Sequence, residues 1–233
     1  MLLRFFHLLP GELLTFLALV GFGALALVVA ITVHEFSHAM VATGLGDTTA
    51  KRQGRLSLNP MVHLDPVGSA MILLAGFGWG KPVPVNPNNL SHGAMGGPLV
   101  AAAGPLSNLT LAFLLAAPIK LGVLNFPDLG EVGVVDLVSS GSVLGLVSLL
   151  FAQMILINFL LAVFNLIPLS PLDGSRILEG FIPRGNSATY ARIQQYGPVI
   201  LIAVIMLDYM SSFSILGTFL WPVVNVLRSI AVG

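Results

Sequence analysis

The chain has 233 residues, 56% of them apolar and only 9% charged; a soluble domain draws about a quarter of its residues from Asp, Glu, Lys and Arg, so water is not its main solvent. Ten basic residues cancel ten acidic ones, which leaves no net field to gather nucleic acid. Cysteine is absent, which excludes disulfides, thiolate metal sites and a cysteine nucleophile, so any metal must be held by His, Asp or Glu.

A bilayer-crossing helix needs about 20 apolar residues, so stretches free of Asp, Glu, Lys and Arg predict the elements. The first runs from Leu13 to Val33. It is longer than the apolar region of a signal peptide and lacks a small-residue cleavage site, so it is expected to be retained. At its end stands His34-Glu35-Phe36-Ser37-His38. Two imidazoles four residues apart share a helix face, where both reach one metal ion, and Glu35 projects beside them toward water. Ionisable groups inside a membrane helix cost several kcal/mol each, and here three fall within about one turn. Val41 and Gly44 stand where the long form of this motif in soluble enzymes has Gly and His, so that class is excluded.

Lys51, Arg52 and Arg55 follow the first span, and a solvated role is expected for Asp47, His63 and Asp65 in the same polar loop. The segment from Pro66 to Gly80, about 15 residues with four glycines, is too short to cross and runs into Lys81-Pro82-Val83-Pro84-Val85-Asn86-Pro87, which cannot be helical. It is read as re-entrant or interfacial. The extended run Val83 to Asn86 could pair as a strand with an unwound peptide. Gly97 to Lys120 follows as the one return crossing, with small residues Gly97, Ala101 and Pro105 spaced for close helix approach. Asn108 within it places an amide in the bundle, suited either to linking helices or to donating to a substrate backbone or a developing oxyanion.

Asp128, Glu131 and Asp136 fall in the next loop, on the far side from the His pair, and a long charge-free stretch then runs from Leu137 to Leu172. Arg176, Arg184 and Arg192 come after it. Basic residues mark the cytoplasmic side, so the first span and this one should end at the same face, with a single crossing between them; Arg4 on the outside runs against this orientation. Asn165-Leu166-Ile167-Pro168-Leu169-Ser170-Pro171-Leu172-Asp173-Gly174 breaks the helix with two prolines and sets a carboxylate before a glycine. Irregular backbone at membrane depth is tolerated where it is buried in protein or lines a cavity. Catalytic zinc usually has three protein ligands, and topology favours Asp173 as the third beside His34 and His38. Asp208, which separates the charge-free stretches Ile193 to Leu207 and Tyr209 to Leu227, is the rival intramembrane carboxylate.

The expected fold is an all-α polytopic membrane protein of about 4–6 transmembrane helices, with a re-entrant or extended segment near the site. It is read as a single membrane-embedded domain over residues 1–233, with a core over about 13–180 and additional helices over about 193–228. Several of its motifs resemble the site-2 protease family, in the compact prokaryotic form without PDZ or CBS domains. They are His34 to His38; Gly54-Arg55-Leu56-Ser57-Leu58-Asn59-Pro60; His63-Leu64-Asp65-Pro66-Val67-Gly68; Gly78 to Asn86; Ala103-Gly104-Pro105-Leu106-Ser107-Asn108; and Asn165 to Gly174. The resemblance implies one Zn²⁺ held by His34, His38 and Asp173, Glu35 as catalytic base and Asn108 near the active site. It also implies regulated intramembrane proteolysis of transmembrane helices in the cytoplasmic membrane, with the active site nearer the cytoplasmic face. The expected surroundings are lipid and substrate helices, with no nucleic acid. An intramembrane metal-ion or proton transporter is the rival class; it has no need of a Glu between helical His ligands, and no repeated halves are visible. Substrate identity and oligomeric state are not legible.

Overall fold

The computed structural model describes residues 5–8, 11–75, 78–183, 186–210 and 214–233; Arg4 and Arg184, two of the basic residues weighed for orientation, lie outside them. Among the described residues all regular structure is helical. In chain order the α-helices are α1 (Leu13–Gly44), α2 (Thr49–Arg52), α3 (Pro66–Ala75), α4 (Gly96–Lys120), α5 (Glu131–Ser139), α6 (Val143–Asn165), α7 (Asp173–Glu179), α8 (Ser187–Gln195), α9 (Gly197–Met210) and α10 (Ile215–Val232). Four of them, α1, α4, α6 and α10, are long and apolar enough to cross a membrane. The protein is an all-α, multi-pass membrane protein.

Side-chain contacts fix the helix directions. The Asn108 amide donates to the Ala30 carbonyl at 3.0 Å, while eight residues earlier the Val100 carbonyl lies 2.7 Å from His38 Nδ1. As α1 advances from Ala30 to His38, α4 therefore retreats from Asn108 to Val100, and the two are antiparallel. α6 packs against α1 and α4 alike; its Phe159 and Ile155 are fully buried against Ala112 and Ala116 of α4, and Phe113 meets Phe159 edge-to-face with centroids 5.3 Å apart. Lipid tails are as apolar as leucine, so close van der Waals packing on small residues holds such helices together better than burial from water does. Leu14, Leu114 and Phe219 lie more than half exposed on the outer faces, where lipid would cover them.

α10 begins beside the end of α6, where Ile215 and Leu216 share an apolar cavity of about 420 Å³ with Leu166 and Ile167. It finishes at the opposite end of the bundle, where Lys120 Nζ donates to the Ile230 carbonyl and the Arg228 guanidinium stands 5.6 Å from the Phe126 ring centre. Because α6 ends and α10 begins at one end of the bundle, the segment between them returns to where it started. α8 and α9, bent by 42° at their junction, therefore add no further crossing. Both ends of α9 bear this out: Gly197 packs so closely on Ser170 that a Cβ would stand 2.5 Å from its carbonyl oxygen, and Asp208 accepts the Leu216 N–H at 2.9 Å. The stretch from Ile193 to Leu207, expected as a span, belongs to a segment that returns to the end of the bundle from which it set out. Asp208 takes the Ser214 hydroxyl as well, so this carboxylate tethers the start of α10.

α3 rises only about 15 Å, half the thickness of a hydrocarbon core. The chain leaves at Leu64 and returns to pair with it at Gly80, and Lys81 N–H donates to the His63 carbonyl at 2.7 Å. The segment returns to the side from which it left, as expected of a re-entrant or interfacial piece. A Cβ on Gly68 would stand 2.0 Å from the Trp79 carbonyl oxygen, which accounts for glycine there.

Asp47 and His63 differ from expectation, since both are fully buried. The cause is packing of the polar loop on itself. Asp47 accepts from the Thr49 N–H and hydroxyl, the Asn86 N–H and the Asn89 amide, pinning the end of the proline-rich run to the end of α1. Burial alone would raise its carboxyl, but these hydrogen bonds outweigh that and hold it down at about 2. A folded value below the unfolded one stabilises the fold above about pH 4, and the contribution is lost as pH falls through about 2. Asp47→Ala strands several donors and is expected to cost about 1–3 kcal/mol, read as a lower thermal midpoint in detergent near neutral pH. The gap between variant and wild type should close toward about pH 2; a gap independent of pH would show that the charge is not what holds the loop.

Candidate metal and acid–base site

His34 and His38 lie one turn apart on the face of α1 turned to α4, and are 6% and 8% exposed. Asp173 reaches them from the first turn of α7. Its Oδ2 stands 3.0 Å from His34 Nε2 and 3.3 Å from His38 Nε2. Among the described residues this trio is the group of His, Asp and Glu whose ligand atoms converge, all within 4.8 Å of one another. α6 stops at Asn165, earlier than the charge gap suggests, and an irregular turn over 166–172 carries the chain to Asp173. Gly174 makes that turn possible, because a Cβ there would stand 2.3 Å from the Leu166 carbonyl oxygen and 2.4 Å from that of Ile167.

The proton positions follow from the partners. His38 Nδ1 faces the Val100 carbonyl at 2.7 Å, which can only accept, so Nδ1 carries a proton and, in the neutral ring, Nε2 keeps its lone pair. His34 Nδ1 faces Asn108 Oδ1 at 2.6 Å. The orientation of that amide is fixed because its nitrogen donates both to the Ala30 carbonyl and to Asn158 Oδ1, at 3.0 and 2.8 Å. Asn158 is fixed in turn by donating to the Met154 carbonyl at 2.8 Å. In the neutral ring His34 Nε2 is thus free to ligate as well, and the buried Asp173 Oδ2 has no other hydrogen-bond partner. With both rings neutral, three lone-pair donors face one another at one point, an arrangement that a cation would join, and two imidazoles with a carboxylate suit zinc.

α4 leaves room for this at Gly104. A Cβ there would stand 2.5 Å from His38 Nε2 and 2.6 Å from His34 Nε2, on the atoms that would bind a metal. The close approach thus comes from Gly104 with Ala101 and Pro105, and Gly97, expected to take part, has open space beside it. Glu35 sits next to His34 and points to the re-entrant strip, where Val83 N–H donates to its Oε2 at 3.1 Å. Gly80 lies alongside Oε1 and adds no side chain there.

Asn108, expected as a donor to substrate, is fully buried behind His34, and both its amide hydrogens are engaged within the bundle. In this geometry it orients the imidazole. The run Val83 to Asn86 is extended, but the N–H groups of Val83 and Asn86 are taken by Glu35 and Asp47, which leaves Val85 its one uncommitted backbone donor. Asp65 caps α3 by accepting the Gly68 N–H, and His92 is exposed; neither joins the trio. Asn158 and the spacing role of Gly104 escape a reading by motif. An amide in the middle of a largely apolar helix, which also carries Ser148 and Gln153, is the only sign of Asn158 that the sequence offers.

Comparison with known proteins agrees with this geometry. Residues 95–207 match the model of peptidase family M50. The chain is 39% identical over 210 residues to the protein named "Putative zinc metalloprotease YwhC" from Bacillus subtilis, covering 90% of this chain and 88% of that one. It is 28% identical over 205 residues to the Mycobacterium tuberculosis protein named in the same way as Rip2, covering 85% of this chain and 73% of that one. No solved structure matches the chain significantly.

Outer partners that orient metal-binding imidazoles are worth about tenfold to a hundredfold in metal affinity. Asn158→Leu, which frees the Asn108 amide to turn, is expected to weaken zinc binding by that factor in competition with a chromophoric chelator. Gly104→Ala should abolish it. Unchanged affinity in Asn158→Leu would detach this residue from the site.

Proposed function

The chain belongs to peptidase family M50, and from that premise we propose that it is an intramembrane zinc metalloprotease, which hydrolyses peptide bonds within or near transmembrane segments of other membrane proteins. The observation that carries this is the convergence of His34, His38 and Asp173 beside Glu35, among helices long and apolar enough to span a bilayer. These three residues would hold the ion. Zinc supplies Lewis acidity toward a peptide carbonyl and makes water a competent nucleophile near neutral pH.

The chain's own residues do the remaining work. Glu35 takes a proton from the attacking water and delivers it to the departing amine, through Oε1, since Oε2 is held by Val83 N–H. As metal ligands His34 and His38 would be neutral imidazoles, each with its Nδ1 proton bound by α4, so that neither would compete with Glu35 for the proton. A substrate helix must unwind before its carbonyls become available, because in a helix they are already hydrogen-bonded. The site lies toward the end of α1 that meets the polar loop, where water can reach it.

The domain in this reading is one membrane-embedded unit over residues 1–233. Lys51, Arg52, Arg55, Lys81, Arg176 and Arg192 lie at the site end of the bundle, against Lys120 and Arg228 at the far end. That bias supports an active site nearer the cytoplasmic face of a cytoplasmic membrane. Cleavage of a transmembrane segment releases what it anchors, so the natural role of such an activity is regulated intramembrane proteolysis.

The test is purified protein in detergent, with metal content measured beside cleavage of a fluorogenic peptide that carries a single transmembrane helix. Glu35→Gln is expected to keep its zinc and lose at least about 10²-fold in rate. Asp173→Ala should lose zinc and activity together. Wild-type rates in the Glu35→Gln protein would remove the assignment.

A further inference from the structure

Arg55 is a charged side chain that the chemistry above does not use, yet it is only 5% exposed. Burying a guanidinium costs several kcal/mol unless it is paired and hydrogen-bonded, so its surroundings should account for it. Its backbone N–H donates to the Ala50 carbonyl at 2.9 Å, which fixes its Cα to the short helix α2. Its side chain crosses to the re-entrant strip and donates to the Lys81 carbonyl, while Nε is buried without a partner. Burial lowers the guanidinium from the usual arginine value, and the charge that opposes this is Glu35.

The strip between the two is short and stiff. Lys81 N–H is tied to the His63 carbonyl and Gly80 pairs with Leu64. The Lys81 carbonyl, held by Arg55, and the Val83 N–H, held by Glu35, lie on either side of Pro82. Proline fixes its own φ near −65°, and a residue that precedes proline is confined to extended conformations; Lys81 and Val83 both precede one. Few torsions therefore remain between the two anchors, and where Arg55 holds the Lys81 carbonyl decides where the Val83 N–H meets the Glu35 carboxylate.

We propose that Arg55 is a positioning residue for Glu35, acting through the rigid Lys81-Pro82-Val83 strip. The proposal rests on the metalloprotease reading of the site and adds a second anchor to it. The zinc ligands stand on α1 and α7 and are oriented by α4, whereas the base is held by the polar loop. Ion binding and base placement thus depend on different parts of the chain, and Arg55 belongs to the second part alone.

The experiment uses the full chain in detergent micelles and the same fluorogenic transmembrane-helix peptide. Arg55→Ala is expected to keep one zinc per chain and to leave KM near that of wild type, while kcat falls about tenfold to a hundredfold, the cost of a base misplaced by about 1 Å. Val83→Pro, which removes the donor to Glu35, should cause a similar loss, and the double variant should be little worse than either single one, because both break the same link. Hydrogen exchange gives a readout that needs no activity: the Lys81 and Val83 amides should lose protection in Arg55→Ala while the amides of α4 and α6 keep theirs. If Arg55→Ala does not fold, Arg55→Lys serves, since a single point donor on a flexible stem replaces the planar fork; it should retain zinc with reduced kcat and a partial loss of Val83 protection. Unchanged kcat, fully multiplicative losses in the double variant, or intact protection of Val83 would each overturn the proposal. A wild-type protein that binds zinc and cleaves nothing would remove the protease reading, and the exchange data would still decide whether Arg55 holds the strip.

Discussion

The close approach of α4 to α1 at Gly104 is the contact on which the rest of the site depends. With no side chain in the way, α4 comes near enough for its Val100 carbonyl and its Asn108 amide to take the Nδ1 protons of His38 and His34. In lipid an imidazole N–H without a partner costs several kcal/mol, so this contact first makes two histidines tolerable in an apolar helix. The same hydrogen bonds turn both bare Nε2 atoms to one point. Satisfying the donors and creating the ligand pair are one structural event, and the antiparallel course of the two helices follows from it.

The polar end of the molecule is organised on a different principle. There the backbone is irregular, and buried charges hold it where helix packing cannot. Asp47 gathers four donors from the loop and the proline-rich run, and Arg55 holds the run from its other end at Lys81. Between them lie Pro82 and Pro84, which contribute stiffness but no N–H. A flexible loop so close to α1 would leave the Glu35 carboxylate free to sample many positions. Prolines between two buried ionic anchors confine it.

Much of this was legible in the sequence, and each success has a physical source. Hydrophobic length picked out the crossings because a bilayer sets it, and the parity of basic residues implied the single return helix now seen as α4. The His pair declared itself through helical spacing, and Asp173 through a broken helix at matching depth. Other features resisted because tertiary packing decides them. Asp47 and His63 look like solvated loop residues until the loop folds over them. Residues 193–207 are apolar enough to pass for a span, and only tertiary contacts, at both ends of α9 and at the start of α10, show that they return. Asn158 lies 50 residues from its partner Asn108, a pairing that no local pattern encodes.

Placement of the trio near one end of α1 answers two opposed demands. Deep in the bilayer the electrostatic attraction of a carboxylate and two imidazoles for a cation is strongest, because the local dielectric is low. Hydrolysis, however, consumes water, which the hydrocarbon core excludes. At the junction between packed helices and polar loop, the His pair keeps α4 and α6 behind it, while Asp173, whose side chain is 16% exposed, and Glu35 face the side where backbone is irregular. The partition runs through neighbouring residues of a single turn: His34 points back into the bundle toward Asn108, and Glu35 points out to the strip at Val83. Helical spacing turns those two side chains about 100° apart, and that angle alone divides the dry half of the site from the wet one.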